Sequence, residues 1–219
     1  MDNVTIGIVT TEQIINDKKY ECVSKNNIKY LNNKCNYIGI MLYDKYNYID
    51  TSILDKLDGI IFQGGIDIYP YYNQILEYAI NHNIPVLGIC MGMQLMGLYS
   101  VNGKDEDLVK INNHYNTNHL IKNKENSLLY KLYGKVMEVN SRHNYALDNV
   151  KLPFVIGSVS EDNVIEEIEY IDDKHFVIGV QFHPEDMDNT TKLYNYFIKE
   201  CLNRKNNRTW LNLSSFLYY

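Results

Sequence analysis

Cys90 is the residue whose type and setting best suit covalent chemistry, because it lies between Gly88 and Gly92 where a buried strand gives way to a helix. The two glycines leave room for a sharp turn that lifts the thiol above the sheet. At a helix N-terminus, free N–H groups and the helix dipole favour a thiolate, and the Met91 N–H points at a developing oxyanion. A structural cysteine between packing glycines would show the same pattern, so a second motif has to decide.

A histidine and a glutamate two residues apart supply a base and the group that orients it. The predicted strand Phe176–Phe182 ends in His183-Pro184-Glu185, and proline keeps the residue before it extended. In an extended backbone positions i and i+2 face the same way, so Glu185 can hold the His183 ring while its other nitrogen faces a thiolate. Alone, this motif also fits a surface His-Pro turn. Together with the cysteine elbow it predicts a catalytic site.

A third segment, Asp58–Asp67, is a strand that opens into a Gly-Gly turn. The backbone N–H groups of Gly64 and Gly65 could complete an oxyanion hole with Met91, as donors from a neighbouring loop do in hydrolases that share this elbow. An ordinary glycine turn explains these residues equally well when they are considered by themselves.

A parallel sheet is needed to bring these motifs together. Four short runs are apolar at nearly every position, which is typical of strands covered on both faces. They are Val4–Thr10, Tyr37–Leu42, Gly59–Phe62 and Val86–Ile89. Gln74–Asn81 has the apolar spacing of a helix, and the order strand, helix, strand predicts parallel strands with right-handed crossovers. The predicted fold class is therefore α/β.

The second half of the chain predicts some antiparallel sheet and a closing helix. Residues Val101–Tyr133 are polar and weakly periodic, so they are predicted to be irregular, with one short helix near Ser127–Leu132. Later strands are predicted at Val136–Asn140, Val155–Ser158, Val164–Ile171 and Phe176–Phe182. The short turn between the last two is typical of a hairpin. Thr190–Asn203 is predicted as the closing helix.

The composition indicates one globular domain. Of the 219 residues, 45% are hydrophobic and 22% charged, which suits a packed core and disfavours disorder and coiled coils. Residues 1–203 are predicted to form this domain, and the tail of residues 204–219 is either disordered or docked through Trp210 and Phe216.

Charge and hydropathy narrow the partners and the compartment. The net charge of −6 leaves no diffuse basic face, which disfavours nucleic acid. No stretch reaches the roughly 18 apolar residues that span a bilayer, and no leader is evident at the start. The protein is predicted to be cytoplasmic and to bind no membrane. The sequence does not decide whether it forms a homodimer.

No metal site and no cofactor are predicted. The cysteines lie far apart with no CxxC pair, at Cys22, Cys35, Cys90 and Cys201. Four histidines outside the motifs are interpreted as surface or capping residues: His82, His114, His119 and His175.

The three motifs, in this order, resemble the class I glutamine amidotransferase superfamily over about Val4–Leu202. In that family a G-x-C-x-G-x-Q elbow and a terminal H-P-E supply a Cys-His-Glu triad on a flavodoxin-like sheet. The resemblance implies that Cys90 is the nucleophile, His183 the general base and acid, and Glu185 its orienter.

The same resemblance implies a glutamyl pocket. It makes Gly65 and Met91 the oxyanion donors and places Gly64 and Gln94 against the substrate. The segments Gly64–Pro70 and Val139–Tyr145 look most like the free-standing γ-glutamyl hydrolases, which include γ-glutamyl-GABA and γ-glutamyl-CDP-amidate hydrolases. On this basis the glutamyl head is expected to contact Asn140, Ser141, Arg142 and His143.

Two departures from that branch bear on the substrate. The connection Pro70–Gln74 is much shorter than in most such hydrolases, so one wall of the cleft is expected to be open, with Val101–Lys124 the nearest segment to close it. Side chains that could meet a phosphate-bearing leaving group, or could simply be solvated, are Lys104, Lys110, His114, Lys122 and Arg142. The elbow sequence Met91–Leu95 is closer to ammonia-donating glutaminases.

The resemblance therefore predicts hydrolysis of a γ-glutamyl C–N bond in a small molecule through a cysteinyl thioester. The alternative enzyme is a glutaminase that passes ammonia to a synthetase made as a separate chain. A third alternative is an idle relative used as a binding module, but the intact Cys90, His183 and Glu185 count against it.

Overall fold

The computed structural model describes residues 3–42, 49–172 and 174–216. Its strands are β1 (Thr5–Val9), β2 (Thr11–Ile15), β3 (Lys18–Cys22), β4 (Asn36–Ile40), β5 (Gly59–Phe62), β6 (Val86–Ile89), β7 (Val109–Lys110), β8 (Tyr115–Asn123), β9 (Val136–Arg142), β10 (Tyr145–Ala146), β11 (Phe154–Ser160), β12 (Ile165–Tyr170) and β13 (Val177–Val180). Its α-helices are α1 (Lys25–Leu31), α2 (Pro70–Asn81), α3 (Met91–Val101), α4 (Leu128–Tyr133) and α5 (Thr191–Phe216).

Nine strands form one mixed sheet in the spatial order β4-β1-β5-β6-β13-β12-β11-β8-β9. The first five run parallel to one another, and the last four are joined by antiparallel pairs. Helices cover the parallel half on both faces, so the predicted α/β fold with a flavodoxin-like parallel sheet is confirmed. The predicted antiparallel pairing in the second half is confirmed as well.

The core lies on both faces of the parallel half because neighbouring strand residues point in opposite directions. Phe62 of β5 packs on one face, with its ring 6.2 Å from that of Tyr72 in α2. The adjacent Ile61 packs on the other face with Leu193 of α5, and both side chains are fully buried. This burial explains why the parallel strands have no polar alternation in the sequence.

The middle segment is more regular than its sequence predicts. It contains β8, a nine-residue strand that joins the main sheet between β9 and β11, so the prediction of irregular structure is wrong there. Polar side chains such as Asn116 and Asn118 stay exposed along β8, which removes the hydrophobic pattern that marks a buried strand. The short helix is confirmed as α4, where the Ser127 hydroxyl accepts the Tyr130 N–H as an N-cap.

A hairpin of β2 and β3 follows β1 directly, and the sequence analysis did not predict it. Its two turn residues, Asn16 and Asp17, have φ values of 50° and 60°. Asparagine and aspartate tolerate this left-handed region, and a two-residue turn of this kind matches the twist of a hairpin. The Asn-Asp pair was the available signal.

A short loop was expected from the sequence at Pro70–Gln74. In the structure this segment is the first turn of α2. Proline suits this position because the first helical residue has no intrahelical partner for an N–H. The fold therefore does not support the expectation that a short loop here leaves one wall of the cleft open.

Helix α5 passes Asn203 without a break and continues to Phe216. Beyond Asn203, the Arg204 guanidinium donates to the Leu57 carbonyl at 2.8 Å. Arg208 donates to the carboxylate of Asp58 at 2.8 Å, and Asp58 is only 1% exposed. We propose on these contacts that the folded domain extends at least to Arg208; the Trp210 and Phe216 side chains lie outside the described part.

Within the described ranges, none of the helices combines the length and the apolar composition that crossing a bilayer requires.

The contacts of α5 make a truncation informative. A chain that ends at Arg208 should unfold at nearly the same urea concentration as the full chain. A chain that ends at Asn203 should lose about 1–3 kcal/mol of unfolding free energy, because the buried Asp58 carboxylate loses its cationic partners. Equal stability of the two truncated chains would instead place the domain end at residue 203.

Candidate active site

Cys90 lies at the end of β6 and caps the N-terminus of α3. Its backbone has φ 51° and ψ −105°, a conformation that costs about 1–3 kcal/mol for a residue with a Cβ. The side chain is 7% exposed. The cysteine thus sits on a strained strand-to-helix elbow, the arrangement that presents a nucleophile above a sheet.

Close packing around the elbow accounts for the two flanking glycines. A Cβ on Gly92 would lie 2.4 Å from the Phe62 carbonyl oxygen, and one on Gly88 would lie 2.8 Å from the Gly92 backbone. Backbone atoms cannot move aside as the end of a side chain can. The expectation that Gly88 and Gly92 make room for the turn is confirmed.

The His183 ring lies between Cys90 and Glu185. Its Nδ1 is 2.7 Å from the Glu185 Oε1, and the ring also hydrogen bonds with Cys90. Residues Pro184–Asp186 form a 3₁₀ turn and not the extended backbone predicted from the sequence. His183 itself stays outside the helical region, with φ −103° and ψ 86°, as a residue before proline should. The turn then folds the buried Glu185 carboxylate back onto the ring.

The electrostatics of this trio favour an ion pair. Burial disfavours the charged form of the ring, but the hydrogen bonds with Cys90 and Glu185 and their negative charge outweigh it and raise the pKa of His183 to about 10. The ring is therefore an imidazolium at neutral pH.

Asn140, at the end of β9, fixes the backbone of His183. Its Nδ2 donates to the His183 carbonyl at 2.9 Å, and its Oδ1 accepts the His183 N–H at 2.8 Å. Both ends of the amide are occupied by this pair. Asn140 therefore positions the histidine, a contact that the sequence analysis did not anticipate when it assigned this residue to the glutamyl pocket.

Two glutamines flank the thiol on the side of β13. Gln181 Nε2 donates to the Cys90 Sγ at 3.6 Å, and Gln94 Nε2 donates to Gln181 Oε1 at 3.3 Å and to the Tyr145 carbonyl at 2.9 Å. Gln94 thus lies near the thiol, beside the place where the resemblance puts a substrate. Gln181 was missed, although its position two residues before His183 on the same strand end was the available signal.

The Gly64-Gly65 turn, which follows β5, packs against the side chains of Cys90 and His183. A Cβ on Gly64 would lie 2.7 Å from the His183 Cε1 and 3.6 Å from the Cys90 Cβ, so both side chains pack against this glycine. Gln63 anchors the turn by donating to the carbonyl of Cys22 at 2.7 Å and accepting from the Ser24 N–H at 2.8 Å. The neighbouring Gly65 lies beside Met91, whose N–H at the start of α3 has no intrahelical partner.

The other residues assigned to the glutamyl pocket have different surroundings. Ser141 is fully buried and donates to the His114 carbonyl at 2.6 Å. His143 is 5% exposed, and its Nδ1 contacts the Tyr145 carbonyl at 3.1 Å. The Arg142 guanidinium is paired with the Asp186 carboxylate. We therefore assign neither Ser141 nor His143 to the part of the site that would hold the glutamyl head.

Two histidines that were predicted at the surface are less exposed than expected, since one is buried and the other half-buried. His114 is 3% exposed, and the His119 side chain is 17% exposed. They surround the buried Glu166 together with His143, and we call these four residues the histidine cluster. The four residues are brought together by β8, β9 and β12, and the sequence did not reveal how these strands pair. The prediction holds for His82, which caps α2, and for His175, which pairs with Asp172 near the surface.

Comparison with known proteins places this architecture in a family. The family model described as Peptidase C26 matches residues 71–185, just over half of the chain. The CTP synthase of Methanosphaera stadtmanae is 28% identical over 199 residues, which cover 74% of this chain and 37% of that protein. A candidate glutamine amidotransferase of Schizosaccharomyces pombe is 28% identical over 68% of this chain and 71% of its own length. This chain thus spans little more than a third of the CTP synthase.

Solved structures agree on the fold. A candidate GMP synthase component from Thermoplasma acidophilum superposes with a TM-score of 0.72 at 19% identity, covering 95% of this chain and 99% of that one. The glutaminase domain of Trypanosoma brucei CTPS, solved with bound acivicin, gives a TM-score of 0.70 at 16% identity and covers 91% of this chain and 94% of that one.

The ion pair predicts how His183 titrates. The raised pKa means that the folded protein keeps a proton that the unfolded chain releases above about 6.5. The stabilisation is therefore complete below that pH and is lost as the pH rises through about 10. Replacing Cys90 with serine removes the sulfur that helps to raise this pKa, so the pKa of His183, followed by NMR of its ring protons, should fall clearly. His82, which lies outside the site, serves as the reference signal. An unchanged His183 titration in Cys90→Ser would contradict a contribution of Cys90 to the pKa of His183.

Proposed function

Because this chain belongs to the Peptidase C26 family, we propose that it hydrolyses the C–N bond of a γ-glutamyl amide through a thioester on Cys90. Family membership and the relatives indicate a hydrolytic enzyme with a cysteine nucleophile. The observation that carries the proposal is the Cys90–His183–Glu185 arrangement, in which the thiol contacts a ring held charged by its partners.

In the first half of the proposed reaction, the Cys90 thiolate attacks the γ-carbonyl carbon of the substrate. The carbonyl π electrons move to oxygen, where the N–H groups of Met91 and Gly65 would stabilise the negative charge. The His183 imidazolium then gives its proton to the substrate nitrogen as the C–N bond breaks. The amine leaves, and the glutamyl group stays on sulfur as a thioester.

In the second half, the neutral His183 ring takes a proton from water, and the resulting hydroxide attacks the thioester carbon. The C–S bond breaks, glutamate leaves, and the thiolate and imidazolium are restored. Glu185 supports both halves by holding the ring through Nδ1, which keeps Nε2 directed at the reacting atoms. This cycle consumes one water molecule per amide bond.

The leaving group has a candidate location. A cleft of about 490 Å³ lies between residues 116–118 of β8, residues 140–142 of β9 and Asp186, next to the turn that carries His183. Its lining is rich in amide and hydroxyl groups, which suits a polar amine. The charge of Arg142 is already balanced by Asp186 there, and Lys104, Lys110 and Lys122 are exposed. These contacts favour a γ-glutamyl amine over a phosphate-bearing conjugate.

A second function has its own support. The relative from Methanosphaera stadtmanae is a CTP synthase, and two fold neighbours are a glutaminase domain and a candidate synthase component of nearly the same size as this chain. These names favour a glutaminase that hands ammonia to a separate synthetase. The chemistry at Cys90 would be the same, and only the source and fate of the amine would differ.

Labelling tests the nucleophile. A glutamine-like electrophile, diazo-oxo-norleucine, should modify Cys90 and spare Cys22, Cys35 and Cys201, as read by peptide mass spectrometry. Cys90→Ala should keep the native circular dichroism spectrum and lose turnover by a factor of about 10³ or more, because no other group can form the thioester. Even labelling of all four thiols would remove Cys90 from this role.

Kinetics on the isolated chain separate the two functions. A free-standing hydrolase should cleave a γ-glutamyl amine with a higher kcat/KM than glutamine, without any partner. An ammonia donor should be nearly silent alone and should release ammonia from glutamine only after a synthetase is added. Activity that appears only on mixing would therefore support the second function and contradict the first.

A further inference from the structure

The histidine cluster brings together three imidazoles and one carboxylate at the antiparallel end of the sheet. His119 lies on β8 and Glu166 on β12, while His114 precedes β8 and His143 follows β9. The ring of His114 is 4.5 Å from that of His119 and 5.0 Å from that of His143. The cluster is separate from Cys90 and His183, and the proposed reaction does not use it.

The carboxylate at its centre faces imidazole nitrogens without a well-formed hydrogen bond. Glu166 is 0% exposed, and among the residues that the structure describes neither of its oxygens accepts a hydrogen bond. The closest nitrogen, His119 Nε2, lies 3.1 Å from Oε1 but without hydrogen-bond geometry. A buried carboxylate without donors is strongly disfavoured unless a cation neutralises it.

His143 and His114 each make one hydrogen bond that points away from Glu166. These bonds fix which ring nitrogen carries the hydrogen, and the other nitrogen then faces the carboxylate as an acceptor. His143 Nδ1 lies 3.1 Å from the Tyr145 carbonyl oxygen, which can only accept, so Nδ1 carries the hydrogen. His114 Nε2 lies 3.1 Å from the Asp162 carboxylate and carries the hydrogen for the same reason. In the neutral rings, His143 Nε2 and His114 Nδ1 then carry lone pairs. The Ser141 hydroxyl lies 3.4 Å from His114 Nδ1 but donates its hydrogen to the His114 carbonyl at 2.6 Å, so it leaves that lone pair unused.

Three acceptors consequently meet in a buried space. The ligand atoms of His114, His143 and Glu166 all lie within 4.8 Å of one another. His114 Nδ1 is 3.6 Å and His143 Nε2 is 3.7 Å from Glu166 Oε1. Lone pairs so placed repel one another, and protonating both rings would set two positive charges side by side. A single divalent cation between them satisfies all three at once.

We propose that the histidine cluster is a zinc site in which His114 Nδ1, His143 Nε2 and Glu166 Oε1 are the ligands, while His119 lies beside Glu166 outside this ligand set. Zinc bonds of about 2.0–2.2 Å place tetrahedral ligand atoms about 3.3–3.6 Å apart. The two histidine nitrogens lie 3.6 Å and 3.7 Å from Glu166 Oε1, close to that spacing. Imidazole and carboxylate are ligands that zinc accepts, and the three ligand residues are at most 5% exposed.

The outer contacts match those of known metal histidines. A ligating imidazole usually donates its second N–H to a carboxylate or a backbone carbonyl, which fixes the ring. Asp162 does this for His114, and the Tyr145 carbonyl does it for His143. These partners come from separate chain segments, so they are not the product of one local turn.

The site would brace the elements that hold the catalytic residues. Ser141 and His143 closely follow Asn140, whose amide is paired with the His183 backbone. The Tyr145 carbonyl also accepts from Gln94, which contacts Gln181 beside the thiol. The metal is thereby a positioning element for the site and does not touch the substrate.

Zinc binding to the full-length chain tests the proposal without a mutation. The purified chain, stripped with a chelator and then titrated with Zn²⁺, should bind one ion per chain and gain about 5 °C or more in Tm. Co²⁺ in its place should give the strong visible absorption of tetrahedral cobalt. Failure of the wild-type chain to bind zinc would overturn the proposal and leave protonated histidines as the balance for Glu166.

Variants assign the site. Glu166→Gln and His143→Gln should weaken zinc binding at least about a hundredfold, and His119→Gln at least about tenfold. His82→Gln, which changes a histidine outside the cluster, should bind zinc as the wild type does. Cys90→Ala should also keep its zinc, because the metal is not held by the catalytic thiol. Zinc lost in Cys90→Ala, or kept in both Glu166→Gln and His143→Gln, would contradict the assignment.

Discussion

The contact between the Cys90 thiol and the His183 ring depends on the parallel pairing of two adjacent strands. Ile89 of β6 lies opposite Val180 of β13, and the Cys90 N–H donates to the Val180 carbonyl at 2.8 Å. This bond fixes the register of the two strands. In that register Cys90 directly follows β6, and His183 lies three residues after the end of β13. A shift of one residue would turn every side chain of β13 to the opposite face and separate the pair.

The strained elbow is held by packing and by polar contacts on several sides. Gly92 lets α3 approach β5 so closely that any side chain at this position would meet the Phe62 carbonyl. Gln63 anchors the adjoining turn, and Asn140 grips the His183 backbone from the far half of the sheet. Such surrounding structure is what allows a residue to persist at φ 51°.

The two halves of the sheet have different tasks in this interpretation. The parallel half carries the cysteine, the histidine and the glycine turn, and its burial on both faces makes it rigid. The antiparallel half reaches the site through Asn140, and the histidine cluster lies beside its strands. The Tyr145 carbonyl comes from β10, which pairs with β7 outside this sheet. A metal at Glu166 would let the antiparallel half stabilise the parallel half. Such support is consistent with a fold whose proposed catalytic residues come from distant parts of the chain.

The sequence by itself predicted the parallel half and the proposed catalytic trio, because these signals are local. Continuous apolar runs mark strands covered on both faces, and a cysteine between two glycines and a His-Pro-Glu turn can each be recognised within a few residues. Only the tertiary structure decided the rest. The polar strand β8 is stabilised by pairing with β9 and β11, so its own residues carry little signal. The histidine cluster joins residues from 114 to 166 that share no spacing pattern, and their common burial exists only once four strands have paired.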